Sequence, residues 1–167
     1  MLVPYDENYK PSVHIEDYNG IHIHIICFVD PEKGTRLKNA INRVGWNLFC
    51  NDRLILSNDT STMTGWIGGS IKDKSVLPKY HSIYNEFRGI VFLKANNPFD
   101  LPLNTSKSGL NVENKNYQYI LEKMIKTARP VIDYLTNKYQ KENEQKEEIE
   151  VSVLSLIHIS EPTRLRR

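Results

Sequence analysis

One lysine on a polar loop is the residue best placed for chemistry in this sequence. Lys107 lies within the segment NTSKSG (104–109), where small hydroxyl residues and a glycine surround it. Such neighbours leave the ammonium free to project, and a phosphate group is a common target for the point charge of a lysine. From these residues alone, an ordinary exposed loop lysine is the favoured interpretation. A phosphate contact at Lys107 is the alternative that they leave open.

The histidines are weaker candidates. His22 and His24 are two residues apart in an alternating segment, so both imidazoles face the same side of a strand, where they could bind a metal. A zinc site needs a third and usually a fourth ligand. The sequence nominates none, so a solvated strand surface is the favoured interpretation. His81 has no evident nucleophile or carboxylate partner and is interpreted as structural rather than catalytic.

Neither the cysteines nor the glycine-rich segment indicates a further site. Cys27 and Cys50 each lie inside an apolar run without CxxC spacing, which predicts buried reduced thiols rather than a disulfide or metal ligands. The segment GWIGG (65–69) is not followed by Lys-Ser or Lys-Thr and is not predicted to open a helix. It therefore does not have the pattern of a phosphate-binding P-loop.

Length and composition predict one domain. The chain has 167 residues, 40% hydrophobic and 25% charged, which is enough for one core and too few for two ordinary domains. The net charge of +2 comes from 22 basic and 20 acidic residues that are mixed along the chain, so charge does not indicate a nucleic-acid partner. There is no signal-peptide pattern and no apolar run of about 18 residues, so we expect a cytoplasmic protein without a membrane span.

The residues before Lys107 predict the strands of a sheet. Alternation of apolar residues predicts a strand over 20–30, and the continuous apolar run within 87–95 predicts a central strand buried on both faces. Two apolar runs separated by Asn51 and Asp52 predict a β-hairpin over 45–59.

Three other segments receive weaker predictions. Residues 13–15 predict a short edge strand, and 35–44 predict a short helix or turn from their apolar spacing. The segment 60–79 is rich in Ser, Thr, Gly and Lys, which predicts a mobile loop.

A long amphipathic helix follows the Lys107 loop. Asn111 or Asn114 is predicted to cap it, and Pro130 is predicted to kink or restart it. Beyond residue 139 the excess of charge predicts a helical extension over 140–153 that leaves the domain. The apolar stripe comprises Tyr117, Ile120, Leu121, Met124, Ile125, Ala128, Ile132, Leu135 and Tyr139, at spacings of three and four.

The last segment breaks this pattern. Residues 154–167, LSLIHISEPTRLRR, resemble the translated sequencing-adapter read-through that ends some metagenomic reading frames. We therefore expect a non-native tail and exclude it from the fold. Its arginines are not interpreted as a nucleic-acid patch.

Several segments together resemble the second, transducer domain of bacterial GHKL-type ATPases, the superfamily of the DNA gyrase ATPase, the heat-shock chaperone ATPase and histidine kinases. The resemblance covers about 13–139 and is closest to stand-alone ATP-binding proteins of that superfamily. Two positions depart from the family pattern, since Ser106 replaces a more usual Thr and Leu103 a frequent Trp. The segments that carry the resemblance are GWNLFCNDRLIL, TGW, YHSIYNEFRGIVFL, LPLNTSKSGL and YQYILEKMIKTARPVIDYL.

The resemblance implies both a fold and a site. It implies an α+β fold in two layers, a mixed β-sheet with helices packed on one face and a long C-terminal helix, similar to domain two of ribosomal protein S-five. It also implies that Lys107 is the catalytic lysine that contacts the γ-phosphate of ATP, while Thr105 and Ser106 shape the loop or donate further hydrogen bonds. Charge placed against the developing phosphate charge would sense the nucleotide and aid hydrolysis.

The resemblance further implies that the chain is part of a larger ATPase. The family binds ATP and Mg²⁺ mainly in a preceding domain, which has no counterpart here, so residues 1–12 are interpreted as a truncated lead-in. We expect that domain in cis, a homodimer in the full-length protein, and no ATP hydrolysis by this chain alone. The alternative is a non-catalytic module of the same fold that binds nucleic acid or protein, for which candidate basic residues are Arg53, Lys72, Lys74, Lys79 and Arg88.

Overall fold

Five strands and one long helix form the chain, according to a computed structural model that describes residues 9–30, 44–69 and 73–160. The predicted α+β class, a mixed sheet with a long C-terminal helix, is confirmed. The predicted short helix or turn at 35–43 lies outside the described residues. The elements are β1 (Ser12–Tyr18), β2 (Ile21–Val29), β3 (Gly45–Cys50), β4 (Arg53–Asp59), β5 (Phe87–Ala95) and α1 (Lys115–Ser160).

The last strand in the chain lies at the centre of the sheet. The strand order is β1-β2-β5-β3-β4. β5 pairs antiparallel with β2 and parallel with β3, and the two outer pairs, β1 with β2 and β3 with β4, are antiparallel. Both outer pairs are therefore local hairpins, which β5 joins into one sheet.

Residues in the left-handed conformation close the two hairpins. Asn19 and Gly20 connect β1 to β2 with φ angles of 47° and 77°, and Asn51 and Asp52 connect β3 to β4 with 45° and 68°. Two-residue turns with positive φ at both positions match the right-handed twist of the strands, and Asn, Asp and Gly are the residues that tolerate them. The predicted turn at Asn51 and Asp52 is thus confirmed.

One face of the sheet forms the core with α1. On β2 every second residue is buried, from Ile21 to Val29, and the same face of β5 buries Phe87, Val91 and Leu93. Gly89 on this face seats the indole of Trp46, because a Cβ atom at Gly89 would lie 2.3 Å from the Trp46 ring. This close approach brings β3 against β5 in their parallel pairing.

The other face, called here the open sheet face, is apolar and only partly buried. The prediction that β5 is buried on both faces is therefore wrong, since Ile90 and Phe92 on this side are only half-buried. Stacked rings of Phe49 and Phe92, 5.2 Å apart, join β3 to β5 here. The strand registers place on this face Val13, Ile15, His24, Ile26, Ile90, Phe92, Phe49 and Leu54.

The helix begins as the sequence predicts. The Asn114 side chain caps it by accepting a hydrogen bond from the Asn116 amide at 2.8 Å. Of the two outcomes predicted at Pro130, a kink or a restart, the restart is wrong, because the helix continues through Pro130 to Ser160. Ala128 and Val131 are fully buried on either side of the proline, and this packing outweighs the one backbone donor that proline lacks. Most of the predicted stripe is buried, namely Tyr117, Ile120, Met124, Ile125, Ala128, Ile132 and Leu135.

Beyond Leu135 the helix leaves the core. No residue after Leu135 is buried among those whose side chains the structure describes, in agreement with the predicted charged extension over 140–153. Residues 154–160, which were excluded from the fold, continue α1 as exposed helix as far as their side chains are described. The rest of the predicted tail lies outside the described residues.

The connection from β4 to β5 is more than a polar loop. Composition suggested a mobile segment at 60–79, but Thr64, Trp66 and Leu77 are fully or almost fully buried. Trp66 and Leu77 form an isolated β-bridge, and the Tyr117 hydroxyl of α1 donates a 2.6 Å hydrogen bond to the Met63 carbonyl. The described part of this connection is therefore packed between the sheet and α1.

Candidate functional site

The loop that carries Lys107 connects β5 to α1 and is closed at its base. A 3-10 turn at Pro98–Asp100 leads from β5 to buried Leu101. Leu103 and Leu110 then form an antiparallel bridge, and the Asn111 amide donates to the Pro102 carbonyl at 2.9 Å. The segment 104–109 is thus a short hairpin-like loop with a fixed stem.

A single side chain holds this loop in shape. The Oδ1 atom of Asn104 accepts hydrogen bonds from the Ser106 hydroxyl and the Ser108 amide, both at 3.0 Å, and from the Gly109 amide at 3.2 Å. The main chain of Asn104 also accepts from the Lys107 amide at 2.9 Å and donates to the Gly109 carbonyl at 2.9 Å. Asn104 therefore fixes both sides of Lys107.

Lys107 occupies the tip of the loop in an unusual conformation. Its φ angle is 53°, in the left-handed region that L-residues other than Gly, Asn and Asp rarely adopt. Its ammonium lies 5.2 Å from the centroid of the Phe99 ring, within the range of a cation–π contact. Phe99 itself is 83% exposed on the rigid 3-10 turn. Within the described part of the chain, Lys107 forms no ion pair with a carboxylate.

These contacts determine what the loop can bind. The amides of Lys107, Ser108 and Gly109 all have partners inside the loop, so they do not form a concave anion site of the kind made by free backbone amides. Unlike these three amides, the positively charged Lys107 ammonium is placed to contact an anion. Ser106 is bonded inside the loop, to Asn104 and to the Ser108 hydroxyl at 2.6 Å, whereas Thr105 is exposed.

The two histidines of β2 have separate contacts in the structure. His22 lies 2.7 Å from the Asp17 carboxylate, and His24 packs its ring against Phe92. No group of three or more metal-ligating side chains occurs among the described residues. His81 accepts a hydrogen bond from the Ile83 amide and so caps a 3-10 turn at Ser82–Tyr84, which is a structural role.

Both cysteines are free and buried, as predicted. Burial raises the pKa of the Cys27 thiol well above its ordinary value and that of Cys50 to about 12. Because the thiolate is the nucleophile and metal ligand, neither cysteine is suited to chemistry near neutral pH. The segment at 65–69 follows a 3-10 turn at Thr62–Thr64, and within the described residues no α-helix starts between it and α1.

Two of the candidate basic residues, Arg53 and Arg88, differ in their surroundings. Arg88 is buried and forms an ion pair with Asp30 at 3.3 Å while donating to the Asn85 carbonyl at 2.7 Å. These contacts give Arg88, one of the candidates, a structural role. Arg53 lies at the β3–β4 turn on the far edge of the sheet, and Lys72 lies outside the described residues.

A polar cleft lies at the end of the sheet formed by the two hairpin turns. Its volume is about 490 Å³. The Lys94 ammonium lies 3.2 Å from the Asp52 carboxylate, and the His22 ring lies 2.7 Å from the Asp17 carboxylate. We assign no function to the cleft.

Sequence reasoning missed two residues of the Lys107 site. Asn104 was part of the predicted loop but had no role, although an Asn at the start of a turn commonly bonds the following amides. Phe99 had no local signal beyond its position after Asn97 and Pro98. Its nearness to Lys107 depends on how the two turns are folded together.

A scan against protein-family models and a search of curated proteins both find no match for this chain. No helix in the described ranges combines the length and apolar character that crossing a membrane requires.

Proposed function

We propose that this chain is the transducer domain of a GHKL-type ATPase, with a fold similar to domain two of ribosomal protein S-five. In this proposal Lys107 contacts the γ-phosphate of ATP bound with Mg²⁺ in a domain that precedes this one. Support comes from the order of the segments that resemble the family and from the position of the loop, between the central strand β5 and α1.

The observation that carries the proposal is the conformation of Lys107. Lys107 has a φ of 53° and is held by Asn104 at the tip of a closed loop. This conformation is strained for a lysine, and an ordinary surface lysine does not need it. Strain of this kind is concentrated at functional sites, where the surrounding structure imposes it. The Lys107 ammonium therefore projects from a loop whose stem is closed by hydrogen bonds, where it could contact an anion.

The residues of the loop would then divide the work. Lys107 would bring a positive charge to the terminal phosphate, where negative charge develops during hydrolysis. Asn104 and Ser106 would hold the loop in the presenting conformation, and Thr105 is placed to add a hydroxyl contact. The described residues offer no metal-ligand cluster, so Mg²⁺ would be held by the preceding domain and supply further charge neutralisation to the phosphates.

Contact across the domain boundary would couple the nucleotide to movement. A lysine that reaches ATP from a second domain binds only when the two domains approach, so nucleotide binding would favour the closed arrangement. In this proposal that closure promotes homodimerisation of the full-length protein. A cytoplasmic location belongs to the proposal, because ATP is available there.

The test is a substitution in a protein that joins this domain to its ATP-binding domain. Lys107→Ala should lower the rate of ATP hydrolysis roughly tenfold to a hundredfold, because a charge-assisted contact contributes about 1.5–3 kcal/mol. Lys126→Ala is the matched control, since Lys126 is exposed on α1. Circular dichroism should show an unchanged fold for both variants. Near-normal hydrolysis by Lys107→Ala would contradict the proposal.

A second candidate function, a non-catalytic module that binds another protein, is favoured by one observation. The open sheet face presents half-exposed apolar side chains across several strands, including Ile26, Ile90 and Phe92. An apolar centre is typical of protein interfaces, whereas nucleic-acid surfaces are positively charged. If this function is the correct one, Phe92→Lys should abolish partner binding and Lys107→Ala should leave it unchanged.

A further inference from the structure

The outer edge of β1 belongs to a regular strand that contains no proline, no lysine and no bulge. Its seven residues, Ser12–Tyr18, pair one to one with β2 without a shift in register. The strand contains no Pro and no Lys, and none of its residues has positive φ. Within the described residues β1 pairs only with β2, so no described strand occupies its other edge. Unprotected edges of this kind are templates for another strand.

The opposite edge of the sheet provides a contrast. β4 begins at a basic residue, Arg53, and its pairing with β3 contains two register shifts. Asn58 within β4 has a φ of 52°. Charge and irregular backbone are the devices by which proteins protect edge strands. They occur at the β4 edge, and β1 has neither a basic residue of this kind nor an irregular backbone.

The exposed side chains of β1 continue the open sheet face to its boundary. Val13 and Ile15 are 52% and 57% exposed, and they lie directly opposite Ile26 and His24 of β2. Two large β-branched side chains are thus presented beside an available backbone edge. Apolar contacts and main-chain hydrogen bonds would both be gained if a strand were added here.

We propose that β1 pairs with β1 of a second copy of this chain, antiparallel, about a two-fold axis through Ile15. The two five-stranded sheets would then form one continuous ten-stranded sheet. This interface would form without nucleotide and does not depend on the function proposed above.

The register follows from the faces of the sheet. For the two open faces to lie on the same side, each residue must pair with one whose side chain points to that side, so the axis must pass through a residue rather than between two. An axis through Glu16 would oppose two carboxylates, which is destabilising. An axis through Ile15 pairs all seven residues of Ser12–Tyr18 and opposes two isoleucines.

Charge complementarity favours the same register. With the axis at Ile15, His14 of one copy faces Glu16 of the other, and Glu16 of the first faces His14 of the second. These two side chains already lie together within one chain, with 3.4 Å between Nε2 and Oε2. The pairing would place each carboxylate between two imidazoles, and each imidazole between two carboxylates.

The predicted dimer is weak and reversible. Seven residues in an antiparallel ladder provide roughly one hydrogen bond per residue, and one strand edge buries less than the approximately 1,200 Å² at which stable interfaces begin. We therefore expect association at micromolar concentrations and above, with a dependence on concentration that sedimentation can measure.

Cysteine substitution tests the register directly. Ile15→Cys should form an intermolecular disulfide under mild oxidation, because residues opposed on the axis have Cβ atoms about 4.5–5.5 Å apart, close to disulfide geometry. Val13→Cys on the same face would instead oppose Asp17 of the second copy. The native Cys27 and Cys50 are buried and should not react. We expect Ile15→Cys to cross-link at least ten times faster than Val13→Cys, whereas equal rates, or a faster Val13→Cys, would overturn the proposal.

A second measurement uses the chain with its native cysteines. The wild-type chain should sediment as a monomer–dimer mixture, and Ile15→Lys should raise the dissociation constant at least tenfold by opposing two ammonium groups across the axis. Leu54→Lys is the matched control, since Leu54 is a 46% exposed residue on the β4 edge, and it should leave the constant unchanged. A wild-type chain that remains monomeric at about 0.5 mM, or equal effects of the two variants, would overturn the proposal.

Discussion

Replacement of Lys107 by glycine or by alanine should show whether the loop imposes its left-handed conformation. Both substitutions remove the ammonium and its contact with Phe99, so the difference between them isolates the backbone. At a φ of 53° an alanine retains a steric cost of about 1–2 kcal/mol that glycine avoids. Glycine in turn loses about 0.5–1 kcal/mol more conformational entropy on folding.

The expected result is a reversal of the usual order of stability. Subtracting the mid-range entropy term of about 0.75 kcal/mol from the mid-range steric term of about 1.5 kcal/mol gives a Lys107→Gly chain that is more stable than Lys107→Ala by about 0.75 kcal/mol. Thr105 is the matched control, because it is exposed in the same loop and is not among the residues with positive φ. There the Thr105→Ala chain should be the more stable one, by about 0.5–1 kcal/mol.

Urea unfolding followed by circular dichroism gives the free energies of all four variants. The gain at position 107 corresponds to a difference in midpoint temperature of roughly 1–4 °C. An alanine variant at 107 that is as stable as the glycine variant would refute the reasoning. It would mean that the loop relaxes to negative φ once the lysine is removed, and that Asn104 does not hold the backbone.

Two further predictions concern the core. Gly89→Val should destabilise the fold by about 1–3 kcal/mol, because its Cβ would lie 2.3 Å from the Trp46 ring. Urea unfolding measures this loss, and a loss below about 1 kcal/mol would show that Trp46 can move. Burial raises the pKa of the Cys50 thiol from 9.0 to about 12. The folded chain therefore holds this proton while the unfolded chain releases it, and the free energy of unfolding should fall between about pH 9 and 12. Cys50→Ala should show a shallower fall, and parallel pH curves would contradict the assignment.

Much of the secondary structure was predictable because local patterns carry it. β2 alternates isoleucine with histidine over residues 21–25, and the apolar stripe of α1 has helical spacing. These patterns predict which side of each element faces the core. The turn at Asn51 and Asp52 was predictable for the same reason, since those residue types tolerate positive φ. The rule that proline ends a helix did not predict the continuous helix at Pro130. The buried residues before and after the proline, Ala128 and Val131, outweigh the loss of one hydrogen bond.

The candidate site was predictable only in part. The residues around Lys107 showed a polar loop, and the resemblance to GHKL transducers suggested its target. The hydrogen bonds of Asn104 and the left-handed backbone of Lys107 could not be predicted from the sequence, because an asparagine side chain can bond any of several nearby amides. The cation–π contact between Lys107 and Phe99 joins two successive turns. Hydrophobic periodicity in the sequence does not predict how such turns pack against each other.

Local patterns in the sequence predicted the types of the main elements, the face that most of them bury and the loop that carries Lys107. These features depend on residues that are close together in the chain. The tertiary structure decided the place of β5 between β2 and β3, the seat of Trp46 on Gly89 and the burial of Trp66 in a segment that composition describes as a loop. It also decided that the edge of β1 is regular while that of β4 is protected. These features depend on contacts between residues that are far apart in the chain. The hydrophobic effect drives such contacts, whereas side-chain shape and strand register determine which residues pair.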